Sequence, residues 1–236
     1  MSVECAGIRF QYRGGFELGP IDLTLRPGVT CLVGANGAGK TTLFRIVAGI
    51  QKPSHGSVKG AEDVQIGYLP QEPDLPGNAR CEDYLRYVGW AQKIPRTQIE
   101  SAIDTVLSAF DLAQHRRKRI RQLSGGMMRR LAVAQSVLHS PDLLLLDEPT
   151  AGLDPVQRAT LRESIRENSA QRTTLVSTHL VEDVRGIADH IVVLAEGRIV
   201  FSDGIPALEM LARDDAPGAT ELERGLAVAI QDGAKQ

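Results

Sequence analysis

An α/β fold with a mainly parallel sheet is what this sequence predicts, and three observations predict it. A short apolar run, Val29-Thr30-Cys31-Leu32-Val33, leads through a glycine-rich loop into a helical stretch from Lys40 to Ala48. A second run, Leu143-Leu144-Leu145-Leu146, is apolar without alternation, as a strand buried on both faces requires. Strand-like and helix-like segments alternate around these two, the pattern of a parallel sheet covered by helices.

Taken in order, the chain begins with β-rich stretches from Val3 to Phe10 and Phe16 to Leu25, separated by a turn at Arg13-Gly14-Gly15. They predict an N-terminal antiparallel region. Pro27-Gly28 turns the chain into the Val29–Val33 strand, and Gly49 ends the helix that begins at Lys40. From 72 to 122 the character changes to helical. Thr97 and Glu100 form a capping-box pattern, and Ile99, Ile103, Val106, Leu107 and Phe110 share one stripe. This stretch is expected to be a helical subdomain inserted between core segments 1–71 and 123–210.

The core resumes with a helix whose Met127, Leu131, Ala134 and Leu138 share a face and which stops before Pro141. The leucine strand follows, and Asp154-Pro155 opens another helix with a capping residue and a proline in its first turn. Strands are expected at Thr174 to Ser177, Ile191 to Leu194 and, after a turn at Glu196-Gly197, Arg198 to Phe201. The tail, 211–236, is rich in Asp, Ala and Gly, and no element or chemistry is assigned to it.

Composition narrows the function. The chain has 236 residues, enough for one large α/β domain or two small ones. Its 27 basic and 29 acidic residues leave a formal charge of -2, which gives no electrostatic reason to expect nucleic-acid binding. Three cysteines without metal-like spacing fit a reducing compartment. No apolar run reaches the ~20 residues that cross a bilayer. The opening MSVECAGIRF lacks the basic segment and apolar core of a secretory leader, so a cytoplasmic location is expected.

Gly34-Ala35-Asn36-Gly37-Ala38-Gly39-Lys40-Thr41 matches the phosphate-loop pattern G-x-x-x-x-G-K-[ST], placed between a strand and a helix. Its glycines allow backbone N–H groups to point at phosphate oxygens, and the helix adds its positive end. Gly34, Ala35, Asn36, Gly37, Ala38, Gly39, Lys40, Thr41 and Thr42 are therefore the candidate ATP-binding set of a P-loop NTPase core. Lys40 is expected to reach the β- and γ-phosphates, and Thr41 to bind Mg²⁺. Asp147 and Glu148 end the leucine strand. A carboxylate pair there suits a metal ligand, Asp147, beside a water-activating base, Glu148. Leu123-Ser124-Gly125-Gly126-Met127 supplies a second anion-ready helix start.

The phosphate loop, the Leu-Ser-Gly-Gly signature and the Leu-Leu-Leu-Leu-Asp-Glu-Pro strand, in that order, resemble the ATP-binding subunit of ABC transporters from about Val3 to Leu211. The resemblance implies that Ser124, Gly125 and Gly126 contact the γ-phosphate of ATP held by another subunit, in a homodimer or heterodimer. By the same likeness Gln71 is a Mg²⁺-binding glutamine at the hinge to the helical subdomain, and His179 a γ-phosphate sensor. Asp154, in Ala151-Gly152-Leu153-Asp154, either couples the two sites across the dimer or caps its helix. Tyr12 resembles the aromatic that stacks on adenine; Phe10 is the competing ring.

Met127 departs from the Gln or Glu common after the signature, which removes a side-chain contact to the opposite ribose. The basic run Arg116, Arg117, Lys118, Arg119 and Arg121 is either a solvated loop or a contact with phosphates or an acidic partner surface. Gly125 to Leu131 most resembles exporters of the ABC-2 type. The resemblance thus implies an ATPase that works with a separate transmembrane permease, on the cytoplasmic face of the membrane. Import, or a role in DNA repair or translation, is the alternative.

Overall fold

The computed structural model describes residues 2–12, 14–62, 64–169 and 172–233. Two sheets organise it. Strands β1 (Val3–Gln11), β2 (Glu17–Leu25), β3 (Gly28–Val33), β4 (His55–Lys59), β5 (Ile66–Leu69), β6 (Leu143–Asp147), β7 (Thr173–Thr178), β8 (His190–Ala195) and β9 (Arg198–Asp203) divide between them. The smaller sheet is antiparallel, in the order β2-β1-β4. The larger has the order β5-β6-β7-β3-β8-β9, parallel except for β9. Of the predicted turn between β1 and β2, Arg13 lies outside the described residues. Its other end closes through Tyr12 N–H donating to the Phe16 carbonyl at 3.0 Å.

The expected mainly parallel sheet is present, and its burial explains why the strands read as continuous apolar runs. Val29, Cys31 and Val33 of β3 face one apolar cluster while Leu32 faces the other. On β6, Leu144 and Leu146 face the first cluster, Leu143 and Leu145 the second. Each strand is therefore covered on both sides, and period-2 alternation of polarity disappears. The three cysteines are free and buried, and burial pushes the Cys5 thiol up to about 12.

Helix α1 (Lys40–Val47) follows β3 directly. Between β5 and β6 come α2 (Cys81–Ala91), α3 (Arg96–Ala109) and α4 (Gly125–Val137). The predicted stripe on α3 is buried at Ile99, Ile103, Val106 and Leu107, with Phe110 just beyond its end. The capping box is not formed. The helix starts at Arg96, so Thr97 lies inside it, and Glu100 is drawn instead to Arg86, at 2.7 Å, and Arg116, at 2.5 Å. Arg116 also bonds Glu82 on α2, at 2.6 Å, and Asp104 on α3. The basic run therefore splits. Arg116 fastens α2 to α3, while Arg117, Lys118, Arg119 and Arg121 are exposed.

The remaining helices are α5 (Pro155–Ser169), α6 (Val181–Ile187), α7 (Ile205–Glu209) and α8 (Glu221–Gly233). The last lies in the tail to which the sequence reading assigns no element. Leu222 and Ala229 of α8 are buried in the main core, with Leu226 and Ile230 packed against it. No helix among the described residues is long and apolar enough to cross a membrane.

Candidate functional site: a phosphate loop facing two carboxylates

The site forms where the parallel strands end. In the loop between β3 and α1, Gly37 and Gly39 have φ of 85° and 106°, values an L side chain resists. Gly34 is required for a different reason. A Cβ there would run into the Leu194 carbonyl of β8, so only glycine lets the loop lie against its neighbour strand. The loop opens onto a cavity of about 470 Å³ lined by Tyr12, Phe16, Ala35, Asn36, Gly37, Gly39, Lys40, Thr41, Thr42, Gln71, Asp147 and Glu148. That is within the size range of small-molecule sites.

Lys40, only 7% exposed, begins α1. Its ammonium donates to the carbonyls of Gly34 at 2.7 Å and Ala35 at 3.3 Å, and lies 3.5 Å from Glu148 Oε1. A buried cation at a helix N-terminus needs such oxygens, because the helix dipole repels it there. The same position concentrates positive potential on the cavity, which favours a polyphosphate.

Opposite stand the carboxylates that end β6. Asp147 is fully buried; its Oδ1 accepts from the Ser177 hydroxyl at 2.5 Å. Its Oδ2 is buried without a hydrogen-bond partner among the described residues. An anionic oxygen in that condition suits a divalent cation, directly or through its water. Glu148 is 4% exposed and takes up φ 51°, unusual for a residue other than glycine and typical of functional sites. Its N–H donates to Ser177 Oγ at 2.8 Å, and its Oε2 lies 2.9 Å from His179 Nδ1. One β7 hydroxyl thus sets both acids, a part for Ser177 that the sequence reading did not assign.

Asp183 is a second missed residue. Buried at 1% exposure, it accepts from Thr178 Oγ at 3.1 Å and from the Thr150 hydroxyl, and pairs with Arg162 at 3.1 Å. It ties the segment after Glu148 to the segment that carries His179. Its position four residues after His179 is the only hint the sequence offers.

The other predicted residues lie as follows. Thr41 and Gln71 line the cavity, and Thr42 bonds the Tyr12 hydroxyl at 3.1 Å. Tyr12 is 40% exposed and meets Phe10 edge-on at 4.9 Å. Asp154 caps α5, its Oδ1 accepting from Gln157 N–H at 2.9 Å. Ser124 caps α4, accepting from Met127 N–H at 3.3 Å. Ser124, Gly125 and Gly126 are absent from the cavity wall that the loop and carboxylates make.

A family model described as "ABC transporter" matches residues 18–151, more than half of the chain, including the phosphate loop, Asp147 and Glu148. The chain belongs to the ABC transporter family. It is 31% identical to the ABC transporter ATP-binding protein NatA of Bacillus subtilis over 201 residues, 80% of this chain and 82% of that one. It is 33% identical to the Nod factor export ATP-binding protein I of Rhizobium johnstonii over 218 residues, 87% of this chain and 70% of the relative. Matched stretches span from 62% to 82% of such relatives' lengths. The solved structure of cbiO1 from Clostridium perfringens, part of the ABC transporter complex cbiONQ, superposes with a TM-score of 0.76. It is 27% identical and covers 86% of this chain and 88% of its own. The protein is thus an ATP-binding, ATP-hydrolysing subunit of the ABC type.

Proposed function

We propose that this subunit powers export through a separate membrane-spanning partner, with two ATP-binding chains closing around two nucleotides. The observation that carries the chemistry is the buried Asp147–Glu148 pair facing Lys40 across the phosphate-loop cavity. Thr41, Gln71 and Asp147 would hold Mg²⁺, which neutralises phosphate charge and fixes the phosphates for in-line attack. Lys40 and the loop N–H groups bind the triphosphate. Glu148 polarises the attacking water, with His179 beside its carboxylate as the group that registers the γ-phosphate.

Export is favoured by the likeness to a Nod factor export protein and by the signature-helix sequence Gly125 to Leu131. A separate permease is favoured by the likeness to cbiO1, described as part of a larger transporter complex. ATP binding would favour a closed pair of subunits and hydrolysis would remove that bias. The exposed signature of one chain would then complete the cavity of the other.

Glu148→Gln is expected to keep MgATP binding and to lower turnover by about 10²- to 10⁴-fold, trapping a closed dimer detectable by size exclusion with ATP. Turnover near the wild-type rate would defeat the assignment of the base. Co-purification with a polytopic membrane protein is the matching expectation for transport; recovery of ribosomes or DNA instead would move the subunit out of transport.

A further inference from the structure

α4 carries one arginine that its apolar surroundings do not explain. Arg129 is 9% exposed, one turn into the helix that the signature begins, among buried Leu131, Ala132 and Val133. Its guanidinium bonds main-chain carbonyls of two separate segments. Nε donates to the Pro149 carbonyl at 2.8 Å and Nη1 to the Gln71 carbonyl at 2.9 Å. Nη2 donates to the Asp147 carbonyl at 3.3 Å and, closer still, to that of Glu148. Burial pushes its pKa down, opposed by the Asp147 and Glu148 carboxylates.

Three of the four carbonyls belong to consecutive residues around Glu148, which among the residues lining the cavity is the non-glycine position with a left-handed backbone. Such a conformation persists only where the surroundings hold it. Ser177 holds the N–H side of Glu148, and Arg129 the carbonyl side. The fourth carbonyl, on Gln71, sits where the chain leaves β5 for α2 and α3.

We propose that Arg129 is a positioning residue for hydrolysis, its guanidinium fork fixing the Asp147–Pro149 turn and the Gln71 backbone to the signature helix so that Glu148 is correctly aimed. This rests on reading Glu148 as the water-activating base. It also makes the aim of that carboxylate depend on how α4 is seated against β6. The fork matters more than the charge: a planar guanidinium presents five N–H groups in fixed directions, whereas a lysine ammonium is a point donor that cannot span both segments.

The test compares Arg129→Lys and Arg129→Met in the full chain, measuring kcat, MgATP affinity by titration calorimetry and thermal unfolding. Both variants are expected to bind MgATP within about twofold of wild type while kcat falls about 10- to 100-fold, the size of loss that misplacing a catalytic group produces. Lysine should not rescue the methionine variant. A wild-type kcat in Arg129→Lys overturns the proposal. So does a kcat per ATP-binding site that is unchanged once the folded fraction is counted, or failure of both variants to fold, since the arginine then serves folding alone. Glu148→Gln measured alongside separates the two readings. If it turns over normally the base assignment falls; if it is inactive while Arg129→Lys is normal, only the positioning role falls.

Discussion

The phosphate-loop cavity and the signature at the start of α4 both present a helix N-terminus suited to anions, yet the fold treats them in opposite ways. Lys40, Asp147 and Glu148 are buried, and their bonds to Gly34, Ala35, Ser177 and His179 are made within the chain. Ser124 and Gly125 are exposed at the surface, and only Gly126 is shut in, where a Cβ would strike the Gln157 side chain of α5. One region is arranged by folding. The other is a helix N-terminus presented outwards, capped by Ser124 and open to an anion from elsewhere. The difference fits the site proposed above, built from two chains with the expensive burial of charge confined to one of them.

The largest effect that would break this contrast, after loss of Glu148, comes from the signature. Ser124→Arg is expected to lower turnover by about 10²- to 10³-fold, the loss typical of removing one transition-state donor. MgATP affinity of the isolated chain should be unchanged, because Ser124 is absent from that cavity wall. Titration of nucleotide binding beside steady-state hydrolysis checks both halves. An equal loss of affinity would place the signature in its own chain's site and collapse the contrast.

Lys40→Ala acts on the buried side. Removing an ammonium that neutralises phosphate charge forfeits charge-assisted bonds of roughly 1.5–3 kcal/mol each, so affinity should fall about 10²-fold. Melting should also shift downward, because the Gly34 and Ala35 carbonyls and Glu148 Oε1 lose their cation together. Calorimetric titration and a melting curve measure the two. Unchanged affinity would count against the loop as the polyphosphate site.

How much of this was legible before folding follows the same division. Motif residues that act as a consecutive run, Gly34 to Thr41 and Asp147-Glu148, are readable because one local geometry dictates their order. β3 and β6 are readable because burial on both faces leaves them wholly apolar. β4 is not: His55-Gly56-Ser57-Val58-Lys59 is a largely exposed edge strand with one apolar residue, and only pairing with β1 makes it a strand. α8 was hidden differently, its Leu222, Leu226 and Ala229 spacing lying behind a composition of Asp, Ala and Gly. Ser177, Asp183 and Arg129 were missed because, apart from the Thr178 partner of Asp183, the groups they bond lie 18 to 58 residues away. The Thr97–Glu100 pattern misled because two arginines outcompete a backbone N–H for the Glu100 carboxylate.

Tyr12 lines the phosphate-loop cavity and carries the smallest expected effect. Its ring is 40% exposed, its hydroxyl bonds Thr42 at 3.1 Å, and Phe10 packs edge-on against it at 4.9 Å. Stacking of a nucleobase on an aromatic is worth roughly 1–3 kcal/mol, so Tyr12→Ala should weaken ATP binding about tenfold. Tyr12→Phe keeps the face and forfeits only the Thr42 bond, so it should bind ATP within about twofold of wild type, since a neutral hydrogen bond contributes about 1 kcal/mol to folding rather than to the ligand. Phe10, packed against the second apolar cluster, should behave oppositely, with Phe10→Ala lowering the melting temperature and sparing affinity. The three variants measured together decide which ring meets the base. If Tyr12→Phe loses as much affinity as Tyr12→Ala, the hydroxyl's hold on Thr42 at the start of α1 is what matters, and Tyr12 acts by fixing that helix start rather than as a stacking platform.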